Sequence, residues 1–376
     1  MRVLFATIPQ PKNRFVPDLQ SGIGQFFSVV HDHEEFWSCD NSYDVVHIHE
    51  PEYLSYEIEA CMYNTDPIPA ELWARLISCL QHWRKNAIVI HTRHVQEPHV
   101  RVDDEFRKLY RTVFSYCHGV AHFAGYSVRQ FKDFYPDLAH IHHAVIPHQN
   151  YSSLPDTTNR EEARNKLYIP STAKVMLVFG MIKEREKGLI LDAFNAIPGD
   201  DKVVLAPGWK VPKPAIKWIR LREWLHKYQV RKAAKSKTMR TNLGFVEESD
   251  AQYYCHAADF LLIPRTNELN SGNITFGFTF GLVVVGKSDA DIGEILLETG
   301  NPVFEVGNTH SLVDAVQRAL VLAEDGHGQK NRDLALSEWG IDRIGRLYRD
   351  FYLTVASNSG QKAASKLPLT IRDTSD

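Results

Sequence analysis

The feature that most constrains the fold of this chain is a regular alternation of short apolar runs with longer amphipathic segments. The apolar runs have the length of buried strands, and the segments between them show the periodicity of helices. Such alternation predicts parallel sheets with helices on both faces. In the first half of the chain, the predicted strands are residues 3–8, 45–48, 87–90, 120–123 and 141–146, and the predicted helices include residues 70–85 and 105–116.

The alternation stops at a polar stretch, residues 147–159, and then starts again. The second set of predicted strands is residues 174–179, 202–206, 259–264, 282–286 and 302–304, with helices at residues 189–197, 250–258, 274–280 and 311–324. Two successive α/β units in 376 residues predict two domains, each with strand ends that open onto a ligand crevice. We predict an N-terminal domain at residues 1–150, a C-terminal domain at 151–340, a closing helix at 341–356 and a disordered tail at 357–376.

Composition narrows the class of protein. The chain is 44% hydrophobic and 24% charged, which is typical of a globular protein. It has no apolar stretch of membrane-spanning length, its first residues do not resemble a signal peptide, and its five cysteines form no C-x-x-C pair. These features predict a cytoplasmic protein with reduced thiols. H-x-H and H-x-x-H spacings occur, but no third ligand is fixed by spacing, so we predict no metal site.

Residues 210–240 form a basic segment, with eleven Lys and Arg residues against one Glu in a chain of net charge −3. The aromatic residues Trp218, Trp224 and Tyr228 lie among these cations. Such a mixture is typical of a helix that lies on an anionic membrane surface. An ordinary helix that packs on its sheet with a solvated basic face explains the pattern equally well. Nucleic acid is not favoured, because no recognition motif accompanies the charge.

A cationic loop follows the predicted strand at residues 174–179. Lys183, Lys187 and Gly188 lie in this loop, immediately before a predicted helix. Free N–H groups at a helix start favour anions, and the two lysines would add positive charge for a diphosphate. On spacing alone, a solvated turn with alternating charge is the better explanation of the same residues.

A second loop joins the predicted strand at residues 259–264 to the next helix. Asn270 or Ser271 can cap that helix, and Gly272 permits close approach of a phosphate to the backbone. Glu268, just upstream, could accept hydrogen bonds from ribose hydroxyls. A plain cap and turn is an equal alternative.

Polar side chains also follow two predicted strands in the first half of the chain. His49 and Glu52 follow one strand, and His94 and His99 follow another. Because ligand and catalytic groups gather at the carboxyl ends of parallel strands, His94 and Glu52 are both candidates for a general base. His47 alternates inward along its strand, which favours a structural role.

Several motifs occur in a common order along the chain. They are an H-x-P-E-like strand end at residues 49–52, a T-x-H…P-H segment at 92–99, a V-I-P-H-x-x-Y linker at 145–151, an F-G-x-I-K…K-G loop at 179–188, and A-A-D…P followed by N-S-G at 257–272. With these motifs the chain resembles the bacterial GT-B glycosyltransferases of family 4 type that assemble polysaccharides and glycolipids. The resemblance implies two Rossmann-like domains facing across a cleft, with the C-terminal helix returning to the N-terminal domain.

The resemblance also implies a hexosyltransferase whose C-terminal domain binds a nucleoside-diphosphate sugar, without a cofactor or a divalent metal. Lys183, Lys187 and the N–H groups after Ser271 would stabilise the departing diphosphate. The N-terminal domain would bind a glycan or a lipid-linked saccharide, and His49, His99 and His148 would line the acceptor site or the cleft. A lipid-linked acceptor would bring the protein to the inner face of the plasma membrane as a peripheral protein.

Some positions depart from the family pattern. Val95 stands where the family has Asn, and Lys183 where it has Arg. Retaining members carry a second glutamate eight residues after the first, whereas Phe276 stands eight residues after Glu268. The missing second glutamate favours an inverting enzyme. The residues at Val95, Val100 and Lys183 leave open a non-catalytic nucleotide-sugar-binding homologue. An epimerase that shares the donor site is a further alternative.

Overall fold

The computed structural model describes residues 1–10, 14–98, 100–210, 218, 221–225, 228, 238–241 and 246–360. It divides into two compact units, Met1–Pro147 together with the chain from Ile341 onward, and His148–Gly340. In the described part, no helix is both long enough and apolar enough to cross a membrane.

The first unit contains a parallel sheet with strand order β2-β1-β3-β4-β5-β6. Its strands are β1 (Arg2–Phe5), β2 (Ser28–His31), β3 (Val45–Ile48), β4 (Ile88–Thr92), β5 (Gly119–His122) and β6 (His142–Val145). Strands β3, β4 and β5 are buried along their whole length, because helices cover both faces of the sheet. The direction of strand order reverses next to β1, between β1 and β3.

The helices of this sheet are α1 (Phe15–Gly24), α2 (His33–Ser38), α3 (Tyr56–Asn64), α4 (Ala70–Asn86), α5 (Asp104–Tyr116) and α6 (Gly125–Phe134), with 3-10 turns at Pro51–Tyr53 and Pro136–Leu138. Local capping fixes where some of them begin. Ser55 accepts a hydrogen bond from Ile58 N at the start of α3, and Asp103 accepts one from Phe106 N at the start of α5.

The second unit contains a parallel sheet with strand order β12-β11-β10-β7-β8-β9. Its strands are β7 (Lys174–Leu177), β8 (Lys202–Ala206), β9 (Met239–Thr241), β10 (Phe260–Leu262), β11 (Val283–Lys287) and β12 (Val303–Phe304). The helices described in this unit include α7 (Arg160–Lys166), α8 (Lys187–Ala196), α9 (Glu248–Ala257), α10 (Asn273–Thr279), α11 (Ala290–Glu298), α12 (Thr309–Glu324) and α13 (His327–Glu338), with a 3-10 turn at Glu184–Glu186 before α8. The strand order reverses between β7 and β10.

The last helix, α14 (Ile341–Asn358), belongs to the first unit. It crosses α1 so closely that two positions at the contact leave no room for a side chain. A Cβ on Gly345 would lie 2.3 Å from Gly22 O, and a Cβ on Gly22 would lie 2.5 Å from Ile341 O. Two glycines therefore allow the backbones of α1 and α14 to meet.

The predicted fold class is confirmed: the chain forms two Rossmann-like α/β units. Two strands were missed, β2 and β9. Both lie at sheet edges and are only partly buried, so neither has the continuous apolar run that identified the central strands. Strand β9 also shows that the end of the basic segment, residues 239–240, is extended rather than helical.

Candidate functional site

In the second unit, the reversal between β7 and β10 defines one crevice at the carboxyl ends of the strands. Ligands of doubly wound sheets bind at such a reversal, because the two loops that leave it diverge to opposite faces. The β7 loop, residues 178–188, leads into α8, and the β10 loop, residues 263–272, leads into α10. All seven predicted donor-binding residues lie in these two loops: Lys183, Lys187, Gly188, Glu268, Asn270, Ser271 and Gly272.

An ion pair joins the two loops. Lys183 Nζ donates to Glu268 Oε1 at 2.8 Å, and Arg185 Nη2 lies 3.7 Å from the same oxygen. The backbone of Lys183 is fixed as well, since its N–H donates to Glu186 Oε2 at 2.9 Å. Glu268, predicted for its ability to accept hydrogen bonds, therefore has two cations around it.

Lys187 and Gly188 open helix α8. Lys187 Nζ donates to Glu184 Oε2 at 2.6 Å and lies 5.3 Å from the centre of the Trp209 ring. A Cβ placed on Gly188 would meet no heavy atom within 4 Å. The first turn of α8 thus has open space beside its backbone.

The sequence analysis missed Arg265 in the β10 loop and Asn273 at the start of α10. Arg265 directs Nη1 to Ser271 Oγ at 3.4 Å, and its Nη2 would lie 3.0 Å from a Cβ on Gly180. Asn273 Nδ2 donates to Phe179 O at 2.9 Å and so ties the start of α10 to the β7 loop. Arg265 was detectable in principle, because it closely follows a predicted strand.

Gly272 lies beneath two side chains that precede the second sheet. A Cβ at this position would lie 2.8 Å from Tyr151 Oη and 3.3 Å from His148 Nε2, so a larger residue would have to displace the Tyr151 side chain. Burial lowers the pKa of His148 to about 4, which leaves the ring neutral at pH 7. Its Nδ1–H donates to Gln149 O at 2.7 Å.

The start of α10 differs from the expected cap. Gly272 occupies the N-cap position and provides no side-chain hydrogen bond. Ser271 Oγ lies 3.4 Å from Asn273 N, and Ser271 O accepts a hydrogen bond from Ile274 N at 3.1 Å. The loop is therefore closed mainly by its own backbone.

In the first unit, the predicted histidines at the strand ends meet. His49 Nδ1 lies 3.3 Å from His94 Nε2, and the ring of Phe15 packs edge-on against both. Burial, with help from His47, His91 and His31, holds the pKa of His49 well below its usual range. His49 is thus a neutral neighbour of His94, which is itself partly exposed.

His47 has the structural role that its inward position indicated. Its Nδ1 lies 2.7 Å from Tyr352 Oη, and its Nε2 lies 2.8 Å from Thr92 Oγ1. Thr92 Oγ1 in turn lies 2.9 Å from Tyr348 Oη. This buried chain of hydrogen bonds joins β3 and β4 to α14.

Glu52, the other candidate base, lies inside the first unit with no exposed surface. Tyr110 Oη donates to its Oε2 at 2.5 Å, and burial together with the Glu52 charge raises the pKa of Tyr110 well above its usual range. His99, the remaining predicted acceptor residue, lies outside the described residues. Among the residues that the structure describes, no three His, Cys, Asp or Glu side chains are grouped to hold a metal ion.

Comparison with solved structures identifies the architecture. The chain is similar to Anabaena Alr3699/HepE in complex with UDP and glucose, with TM-score 0.60 and 12% identity over 95% of this chain and 100% of the other. It is similar to sucrose-phosphate synthase from Thermosynechococcus elongatus, with TM-score 0.57 and 14% identity over 93% and 81%. A glycosyltransferase from Rickettsia africae gives TM-score 0.55 and 14% identity over 93% and 84%.

The chain has the GT-B fold. No family model and no curated protein sequence matches it. The identities are low, so the shared property is the arrangement of strands and helices in two Rossmann-like units. Within the GT-B fold, the β7 and β10 loops of the second unit form the cationic strand-end site described above.

Proposed function

We propose that this protein is a glycosyltransferase that moves a hexose from a nucleoside-diphosphate sugar to a glycan or a lipid-linked saccharide. The observation that supports this most strongly is the cationic site at the strand-order reversal of the second unit. There, Lys183 and Arg185 share the carboxylate of Glu268, and Arg265 in the β10 loop lies beside the Ser271 hydroxyl. The GT-B fold, shared with a protein crystallised with UDP and glucose, supports a nucleotide sugar as the donor.

The site must stabilise the diphosphate as the leaving group of the reaction. When the sugar departs, negative charge develops on the diphosphate, and fixed cations nearby stabilise that charge. Lys183 and Lys187 would supply the positive charge. Backbone N–H groups after Ser271 and in the open first turn of α8 at Gly188 would add hydrogen bonds. In this proposal no cofactor and no divalent metal takes part.

Glu268 has a different role in the proposal. A carboxylate accepts hydrogen bonds, so it suits the ribose hydroxyls rather than the phosphates. Its two cationic neighbours keep its charge compensated in the absence of ligand. Asn270, in the same loop, would approach the donor from the same side.

The acceptor hydroxyl needs a base in an inverting mechanism. We assign this role to His94, because it is partly exposed and adjoins the neutral His49. Glu52 remains the second candidate, although it has no exposed surface and accepts a hydrogen bond from Tyr110. His99 and His148 would contribute to binding rather than to proton transfer.

Two other functions share the donor site. A non-catalytic nucleotide-sugar-binding homologue is favoured by Val95, which is buried in the core where the resembling family has a polar residue. An epimerase would interconvert a bound nucleotide sugar without any acceptor.

The decisive experiment is a thermal-shift panel of nucleoside diphosphates, followed by turnover assays with the best donor. A binding ligand raises the unfolding temperature by mass action. A transferase also hydrolyses the donor slowly, and His94→Ala should lower turnover about 100- to 10,000-fold with little change in donor binding. Binding without any hydrolysis or transfer would favour the non-catalytic homologue, and no binding at all would overturn the proposal.

We further propose that the protein works at the cytoplasmic face of the plasma membrane, where a lipid-linked acceptor is found. Trp218, Trp224 and Tyr228 are 78%, 62% and 57% exposed, which supports a surface role for the basic segment. Its residues Lys213, Lys217, Arg220 and Lys227 lie outside the described residues. Replacing these four with Gln should abolish salt-sensitive binding to anionic vesicles; a wild-type protein that ignores such vesicles at low salt would contradict the proposal.

A further inference from the structure

Arg265 differs from the other cations of the β7 and β10 loops in its surroundings. Lys183 and Arg185 share Glu268, and Lys187 pairs with Glu184. No carboxylate of the described residues pairs with Arg265, whose hydrogen-bond partner there is the neutral Ser271 hydroxyl at 3.4 Å. Arg265 is also only partly exposed.

Among the described residues, the Arg265 guanidinium has no carboxylate as a counter-charge. Its hydrogen bond there, to the Ser271 hydroxyl at 3.4 Å, is long and therefore weak. An anion would offer stronger, charge-assisted hydrogen bonds to the same guanidinium.

Glycine at position 180 allows the Arg265 guanidinium to lie close to the backbone of the β7 loop. Gly180 has φ +87°, a value that favours glycine, and a Cβ there would lie 3.0 Å from Arg265 Nη2. The Gly180 backbone is confined from behind, because a Cβ on Gly208 would lie only 1.7 Å from Gly180 O. A side chain is thus absent on the face of the loop that the guanidinium approaches.

Charge matching indicates the class of anion. Lys183 and Arg185 share one carboxylate, Glu268, and Arg265 adds a cation that has no carboxylate partner among the described residues. The diphosphate of a nucleotide sugar is a diester and carries two negative charges at neutral pH. Arginine suits such a group because its planar fork can donate two parallel hydrogen bonds to phosphate oxygens.

We infer that Arg265 binds the diphosphate of the donor directly, as a fixed cation complementary to Lys183. This inference rests on the proposed nucleotide-sugar site. Lys183 exchanges its Glu268 contact for a phosphate oxygen on binding, whereas Arg265 has no carboxylate contact among the described residues to give up. Arg265 consequently makes the larger contribution to recognition of a diphosphate over a monophosphate.

Calorimetry on the full chain tests this assignment. The probes are the nucleoside diphosphate that binds the wild type best and the monophosphate of the same nucleoside. Arg265→Gln should weaken diphosphate binding about tenfold to a hundredfold, the range expected for one charge-assisted hydrogen-bonded contact. Monophosphate binding should change much less. Arg265→Lys should give an intermediate loss, because lysine keeps the charge but not the fork.

The matched control is Arg318→Gln, which removes the same charge from an exposed position on α12, outside both loops. It should leave both affinities unchanged. If Arg265→Gln binds the diphosphate as the wild type does, or weakens both nucleotides equally, the assignment is overturned while the proposed function stands. If the wild type binds no nucleoside diphosphate, the assignment of Arg265 and the proposed function are both wrong. Should Arg265→Gln fail to fold, the Arg265→Lys affinities decide by the same criteria.

Discussion

Lys183 Nζ lies 2.8 Å from Glu268 Oε1, and this ion pair joins two loops that are 85 residues apart in sequence. The sequence analysis predicted each residue separately to bind the nucleotide-sugar donor, and the fold brings the two side chains into contact. Their pairing places a carboxylate where cations of the two loops converge.

Glu268→Ala should remove discrimination between ribose and deoxyribose nucleotides. If Glu268 accepts hydrogen bonds from ribose hydroxyls, the wild type should prefer the ribonucleoside diphosphate over its 2′,3′-dideoxy form by about 1.5–3 kcal/mol. The variant should bind both forms with similar affinity, as measured by calorimetry. If the variant still prefers the ribonucleoside diphosphate, another group binds the ribose hydroxyls.

Lys187→Ala should weaken nucleoside diphosphate binding by about 1.5–3 kcal/mol, because it removes a charge-assisted hydrogen bond to the phosphates. Lys166→Ala is the matched control. Lys166 likewise pairs with a carboxylate, Asp250 at 2.9 Å, and lies over an aromatic ring, Tyr253 at 3.5 Å, but it is outside both loops. If the two variants bind the nucleoside diphosphate with equal affinity, Lys187 does not contact the phosphates.

Gly188→Ala should separate stability from binding. Open space surrounds this position, so alanine should fit and stabilise the helix by up to about 1 kcal/mol. The added methyl group should nevertheless weaken diphosphate binding if the ligand lies against the first turn of α8. Gly24→Ala, at a similarly open helical position in the first unit, should raise stability without affecting binding. Thermal unfolding and calorimetry on both variants distinguish these effects.

Tyr352→Phe should destabilise the first unit by about 1–3 kcal/mol, because it leaves buried His47 Nδ1 without the hydroxyl at 2.7 Å. Tyr56→Phe makes the same chemical change at an exposed position of that unit and should have little effect. Urea denaturation midpoints measure the difference. Identical midpoints would mean that the link between α14 and β3 adds little to stability.

Acid should destabilise the protein through its buried histidines. Burial lowers the pKa of His91 to about 3, and the pKa values of His118, His143 and His148 to about 4. Between about pH 6.5 and pH 4, the unfolded chain therefore binds protons that the folded chain excludes, and stability falls as pH is lowered. A buried histidine such as His91 contributes up to about 1.4 kcal/mol per pH unit in this window. A melting temperature that stays constant from pH 7 to pH 5 would contradict this prediction.

The sequence predicted buried strands more accurately than partly buried ones. Strands β3 and β8 lie at the predicted residues, because a strand covered on both faces needs a continuous apolar run. Edge strands β2 and β9 have no such run, and they exist through pairing with β1 and β8. Their formation depends on a neighbour far along the chain, which local pattern does not encode.

The sequence by itself determined the two α/β units, the central strands and the two loops that contain the candidate donor residues. These features follow from local patterns: apolar runs, helical periodicity and glycine beside charge. Only the tertiary structure decided that Lys183 pairs with Glu268, that Arg265 has no carboxylate among the described residues, and that Glu52 is buried against Tyr110. Those facts depend on which distant segments meet at the strand ends, and sheet order rather than local composition sets these meetings.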